Sequence, residues 1–256
     1  MTETLRTDGD RSVLRMERRF RHSRDKVWRA LTEPDQMERW FPARAEFEAV
    51  AGSDVRYDDG SGPQVDGQVT EATPGRVLAF TWSSELLRFE LHDDGDGCRL
   101  EFTHVFDDHH GAASYASGWE LCFVGLDQLL AGAPVVDASP SAAQHDAYVD
   151  RFGLGIGAAD TVDGVPRVRL ERQLTAPADV AWPIIERLAA APADGVVERD
   201  EPKALAYTAA DGARARWELG EGTGHGARLV LTVTGDAAAD PVWSDRVADL
   251  ARQLRG

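Results

Sequence analysis

The 256-residue chain contains no asparagine, and only two of its 28 basic residues, Lys26 and Lys203, are lysine. This reads as the coding bias of a GC-rich genome and not as thermal adaptation. Cysteine is equally scarce. Cys98 and Cys122 have no CxxC spacing, which suggests neither a disulfide framework nor a zinc site and fits a reducing cytoplasm. No apolar run approaches the roughly 18 residues of a membrane-spanning helix. Met1 to Arg11 is polar and charged, with no apolar signal core, so the chain is expected to be cytoplasmic, neither exported nor inserted. Positive charge is short as well: the formal net charge of -16 argues against nucleic acid, whose phosphates call for clustered Lys and Arg, and against an anionic membrane. There is no GxSxG elbow, phosphate loop or zinc-protease motif. No catalytic residue, metal or cofactor is therefore expected.

What is present is enough for packed cores. Hydrophobic residues make up 43% of the chain and its seven Trp are spread along it, which excludes wholesale disorder. The chain also repeats itself. Leu14 to Leu31 aligns without a gap on Val168 to Ile185, with identities at Arg15/Arg169, Glu17/Glu171, Arg18/Arg172, Asp25/Asp179 and Trp28/Trp182. The correspondence recurs in order: Leu78-Ala79-Phe80-Thr81 with Leu205-Ala206-Tyr207-Thr208, Arg88-Phe89-Glu90-Leu91 with Arg216-Trp217-Glu218-Leu219, and Arg99-Leu100 with Arg228-Leu229. Trp119, Leu126, Leu130 and Gly132 then fall on Trp243, Leu250, Leu254 and Gly256. The offset drops from 154 at the start to 124 at the end, so the second copy is 30 residues shorter, and 27 of these are lost between the first helix and the Leu-Ala-Phe/Tyr-Thr strand. Expected boundaries are a flexible N-terminus (1–11), a full unit (12–132), a linker with one short helix (133–166) and a shortened unit (167–256). The linker helix, Ala142 to Phe152, should end on Gly153 as a C-cap.

Alternation marks half-buried antiparallel strands at 76–82 (Leu78, Phe80, Trp82), 86–91 (Leu87, Phe89, Leu91) and 98–106 (Leu100, Phe102, His104, Phe106). Asp-Gly stretches at 58–62 and 93–97 read as hairpin turns. A helix from about Ala112 to Ala131 carries Tyr115, Trp119, Cys122, Leu126 and Leu129 on one face.

The helix segment Val27-Trp28-Arg29-Ala30-Leu31-Thr32, then Pro34, Trp40-Phe41, Gly67-Gln68-Val69, Leu78-Ala79-Phe80-Thr81-Trp82 and a closing helix with Gly118-Trp119 together resemble the START/Bet v 1-like (SRPBCC) superfamily. Within it they are most similar to the activator of heat-shock-protein ATPase homologue-like family. The resemblance implies an α+β helix-grip fold, an antiparallel sheet wrapped around a long C-terminal helix with a cavity between, here in two tandem copies of which the second is truncated. It also implies a choice among lipid carriers, cyclases or aromatases, and chaperone co-factors. Pro183 occupies the place of Arg29 and is expected to kink the second unit's first helix or delay its start.

Candidate ligand-binding residues follow from fold and periodicity together: Trp40, Phe41, Trp82, Phe89, Phe102, His104, Trp119 and Phe123. His104, on an apolar strand face, is either a cavity anchor, an acid/base or a core histidine satisfied by a partner. Gly118 and Gly125 flank the helix's apolar face, where missing side chains leave room. Inward-facing Arg18 points to a structural ion pair. Asp107-Asp108-His109-His110 reads as a solvated loop, and Gly153-Leu154-Gly155-Ile156-Gly157-Ala158 lacks the strand and helix that a dinucleotide fingerprint needs. The expected activity is non-enzymatic binding of a small apolar or aromatic molecule in the first unit, the second being structural or partner-binding. The alternatives are a cyclase/aromatase-like enzyme and a chaperone ATPase activator-like interaction protein. Candidate partners are thus a small hydrophobic ligand and a protein.

Overall fold

The computed structural model describes residues 3–58, 64–136, 138–224 and 226–255. The chain divides into two compact units, Met1–His109 with Gly118–Ser139, and His110–Ser117 with Pro140–Gly256.

The first unit opens with a hairpin, β1 (Glu3–Asp8) and β2 (Arg11–Phe20), paired from Glu3↔Met16 to Asp8↔Arg11. This corrects the reading of residues 1–11 as flexible. Gly9-Asp10, the two residues between the paired Asp8 and Arg11, is itself a hairpin signal with Gly at the first central position, Gly9 adopts the positive φ of 59° that such a turn requires, and Glu3 is tied to Arg18 at 2.8 Å. Helix α1 (Arg24–Thr32) buries Val27, Ala30 and Leu31 at helical spacing. It stops at Glu33 because the residue before a proline avoids the helical region, and Pro34 then opens the single turn α2 (Pro34–Met37). There follow β3 (Arg44–Glu46), β4 (Asp54–Asp58), β5 (Gln64–Thr73), β6 (Val77–Trp82), β7 (Glu85–Asp94), β8 (Gly97–Phe106) and the helix α3 (Ala112–Leu130), of which the part from Gly118 onward belongs to this unit. The eight strands form one antiparallel sheet in the order β1-β2-β8-β7-β6-β5-β4-β3.

Leu87, Phe89 and Leu91 on β7, and Leu100, Phe102, His104 and Phe106 on β8, all point inward as alternation predicts. Against this face packs α3, which at 19 residues is about 28 Å long. From Gly118 onward its buried stripe runs through Trp119, Phe123, Leu126 and Leu130, while Cys122 and Leu129 are only half-buried at its flank; in the preceding turn Ala116 is buried and Tyr115 half-buried. The stripe thus lies one residue away from the expected one. The run Leu121-Cys122-Phe123-Val124 is apolar on every side, so periodicity alone does not fix the inward face. Sheet and gripped helix make this unit an α+β helix-grip fold.

In the second unit, α4 (Ala142–Phe152) is capped by Ser141, whose hydroxyl accepts from the Gln144 N–H at 3.1 Å, and is closed by Gly153 at φ 66°. Next come β9 (Ala158–Val162), β10 (Val165–Gln173), α5 (Ala178–Ala189), β11 (Val196–Asp200), β12 (Ala204–Thr208), β13 (Arg214–Glu221), β14 (Ala227–Thr234) and α6 (Val242–Gln253). Residues 158–166, read from sequence as linker, are instead a strand and a hairpin turn. Asp163 and Gly164 are its two central residues, with φ of 51° and 78°, the positive pair that a tight right-twisted hairpin demands. Pro183 neither delays nor ends α5; it only leaves the Asp179 carbonyl without its helical donor. The sheet order is β11-β12-β13-β14-β10-β9, which repeats the first sheet's order from its opening hairpin but stops two strands earlier. Trp182, Trp217 and Trp243 are at most 2% exposed at its core.

Candidate functional site

The eight residues singled out by sequence converge in one cluster between α3 and the sheet. Phe102 lies 4.5 Å from Trp119, 5.2 Å from Phe123 and 4.9 Å from Phe89, centroid to centroid. Trp40 meets Phe41 at 5.7 Å and Phe123 at 6.4 Å, and Phe41 joins Trp82 at 5.6 Å. These are contact distances for aromatic rings. All eight are buried except Trp82, which is half-buried and stacked on Tyr57 at 4.8 Å with only 10° between the planes.

His104 links the cluster to a carboxylate. The Trp119 indole N–H donates to His104 Nδ1 at 3.1 Å, and Nε2 lies 2.7 Å from Glu85 Oε2. A donor aimed at Nδ1 requires that nitrogen to be unprotonated, so the proton sits on Nε2 and is donated to Glu85. Both ring nitrogens are thus engaged. Trp40 Nε1 donates to the Ala30 carbonyl at 2.9 Å, and the Tyr57 hydroxyl donates to the Thr81 carbonyl at 2.8 Å. Burial, with a smaller contribution from Asp66, raises the Tyr57 pKa, so the phenol stays protonated.

Sequence reasoning missed several members. Phe80, 5.9 Å from Phe89 and 6.0 Å from Phe41, was legible as the middle of the Leu78/Phe80/Trp82 face. Glu85 carried no signal, being one exposed-type residue after a turn. Arg18 is inward, as expected, and pairs with Glu3, the two side chains being 8% and 4% exposed. Its Cζ sits 5.6 Å from the Phe123 ring centre, and Nη2 is buried without a hydrogen-bond partner.

The two helix glycines differ. A Cβ on Gly118 would meet nothing within 4 Å, whereas one on Gly125 would come within 3.2 Å of Val135 and 3.6 Å of Trp40 Cβ. Gly118 leaves room; Gly125 serves close packing. Neither free cysteine suits nucleophilic chemistry, because burial pushes the Cys122 thiol up to about 12 and Cys98 up to about 11. In the 107–110 loop, Asp107 takes the Arg11 guanidinium at 2.9 Å and His109 Nδ1 lies 2.9 Å from the Ser12 hydroxyl.

Residues 21–131 match the family model described as Activator of Hsp90 ATPase homolog 1-like protein. Over these residues the first unit is similar to that family. The match takes in α1 through α3, the cluster included, and stops short of the second sheet. Similar solved structures include a conserved protein of unknown function from Enterococcus faecalis, 20% identical over 59% of this chain and 90% of that one, with a TM-score of 0.49. CalU16 from Micromonospora echinospora is 20% identical over 58% of this chain and 93% of its own, with a TM-score of 0.47. The Aha1 dimer from Colwellia psychrerythraea is 20% identical over 46% of this chain and 95% of its own, with a TM-score of 0.40. No curated protein matches. Among the described residues, no helix is long and apolar enough to cross a membrane.

Proposed function

We propose that the first unit binds, without chemistry, a small aromatic or apolar molecule that carries one acceptor oxygen. The observation that carries this reading is the unused donor on Arg18. Buried polar groups are almost always hydrogen-bonded, yet Nη2 of Arg18 has no partner beside the Phe123 ring. A ligand oxygen satisfies it, while the ring faces of the cluster supply the apolar contact. The open space beside Gly118 is consistent with a ligand lying along α3.

An enzymatic reading is less well supported. The titratable groups at the cluster, His104, Glu85, Tyr57 and the Arg18–Glu3 pair, are each bonded to protein neighbours, which leaves no base poised towards a substrate. A protein partner is the second reading, and the description of the matched family favours it. The second unit, whose strand order repeats the first, we take as a shortened copy with a structural or partner-binding role. Two unpaired thiols accord with a cytoplasmic protein.

Binding is tested with 2-naphthol and naphthalene, following tryptophan emission of the full-length protein, alongside native mass spectrometry of fresh preparations. The expected result is tighter binding of 2-naphthol, by about tenfold or more for a hydrogen bond to a charged donor, with that preference abolished in the double variant E3L/R18M. Bare mass in every preparation, together with no saturable response to either probe, refutes the ligand reading and leaves the protein-partner one.

A further inference from the structure

A second feature lies on the opposite face of the same sheet, away from the aromatic cluster. Strand alternation that turns Phe89 and Leu91 inward turns Glu90 and His92 outward. The register then sets Glu17, Glu101 and Glu90 directly opposite one another across β2, β8 and β7. Like charges in facing positions are unfavourable, so the row needs cations. Arg88 pairs with Glu90 through its Oε2, and Arg99 pairs with Glu101 and with Glu17, the latter at 3.3 Å. In the adjacent row His92 stands opposite Arg99. Its Nε2 is buried without a hydrogen-bond partner, 3.4 Å from Glu90 Oε1 and 3.6 Å from Glu101 Oε1. The three ligand atoms lie within 4.8 Å of one another.

From this geometry we propose that Glu90, His92 and Glu101 form a three-ligand site for a first-row divalent cation of the zinc type. Metal–ligand bonds near 2.1 Å in a tetrahedron set the ligand atoms about 3.4 Å apart, which is the spacing from His92 Nε2 to each carboxylate. The edge between the two carboxylates has to shorten, and Glu101 Oε1, which Arg99 also holds, has to be shared or exchanged for Oε2, movements available to glutamate side chains on a sheet surface. One imidazole and two carboxylates suit zinc and its neighbours better than calcium or magnesium, which favour all-oxygen shells. The rival for Glu101 is Arg99, and Glu17 already offers that guanidinium a second carboxylate. The hydrogen bond from Arg88 and its charge, against some burial, lower the Glu90 pKa, so this ligand is ionised at neutral pH. A groove of 290 Å³ bordered by Glu17, Glu90 and Glu101 lies beside the two carboxylates and can admit water or an oxygen or nitrogen of a partner to them. In unit 1 the site is independent of whatever the aromatic cluster binds.

The test is calorimetric titration of chelator-treated full-length protein with Zn²⁺ at pH 7.5, with Mg²⁺ as control, for wild type, H92Q and E90Q, each first confirmed as folded by circular dichroism. The expected result is a Zn²⁺ site in the wild type, weakened at least about tenfold in both variants, since even outer-shell changes at metal sites cost that much. The proposal is overturned if the wild type binds no Zn²⁺. It is equally overturned if H92Q binds as the wild type does, or if E90Q is unchanged while H92Q is weakened, because a lone imidazole then accounts for the binding.

Discussion

Replacing Glu3 by leucine leaves the Arg18 guanidinium inside the first unit without its carboxylate. Removing one partner of a buried ion pair costs about 3–5 kcal/mol, because the remaining charge stays desolvated. The low end applies here: Arg18 Nη1 keeps its 2.8 Å bond to the Glu17 carbonyl, and the Phe123 ring 5.6 Å away offers a cation–π contact of up to about 2 kcal/mol. We expect E3L to cost about 3 kcal/mol. R18M should cost less, about 1–2 kcal/mol, because β1 is an edge strand with Arg6, Thr7 and Asp8 exposed, so Glu3 can swing into water rather than remain buried and unpaired. The double variant E3L/R18M should return to within about 1 kcal/mol of the wild type, because an apolar pair replaces an ionic one. Urea denaturation of the full-length chain, followed by tryptophan emission and far-ultraviolet circular dichroism, measures all four proteins. A cost below about 1 kcal/mol for E3L, or strict additivity of the two single changes, would show that Glu3 does not hold Arg18 in the interior.

Two further outcomes follow from contacts and charge. G118A should stabilise the protein by up to about 1 kcal/mol, since helix propensity improves and nothing stands within 4 Å of the new methyl. G67A should destabilise it by about 2 kcal/mol, because its Cβ would fall 2.0 Å from the Thr81 carbonyl oxygen; equal effects from the two would undo the packing argument. The second unit should be acid-labile. Burial disfavours the Asp146 carboxylate, but neighbouring His145, with Nδ1 at 3.8 Å, together with Arg172 at 2.6 Å and Arg255 at 3.2 Å, outweighs this and lowers its pKa below the ordinary 3.8. A depressed native pKa gives stability that is complete above the unfolded value and is lost as pH falls through the native one. Stability of this unit should therefore decline from about pH 4 downward, and D146N should flatten that decline; an unchanged pH profile in D146N would exclude Asp146 as its source.

Much of the first unit was legible because its signals are local. Alternation in 86–91 and 98–106 put Phe89, Phe102 and His104 on the inner face, and Trp40, Phe41 and Trp119 met them from the segment after α2 and from α3. Local signals fail where an element's face or a partner is set from far away. The α3 stripe was misplaced by one residue because an almost wholly apolar stretch has no preferred side until the sheet chooses one. Glu3 and Glu85 could not be assigned, since each matters only through a residue brought to it by strand pairing, Arg18 and His104 respectively. The two hairpin turns, Gly9-Asp10 and Asp163-Gly164, were readable but lay in segments judged by their polarity and their Pro/Gly content instead of by the dipeptide itself.

The second sheet ends at β11, and a bare strand edge invites any passing extended segment to add to it. Both far rims are guarded, by different means. In the first sheet the last strand, β3, has only three residues, too short to template another. In the second, Val196 and Val197 are 38% and 74% exposed, but a bulge breaks the ladder between Val196 and Glu198, and Glu198 and Arg199 are held in ion pairs with Arg216 and Glu186. The six-stranded sheet thus ends at β11 in a rim whose bulge and ion pairs oppose the addition of a further strand.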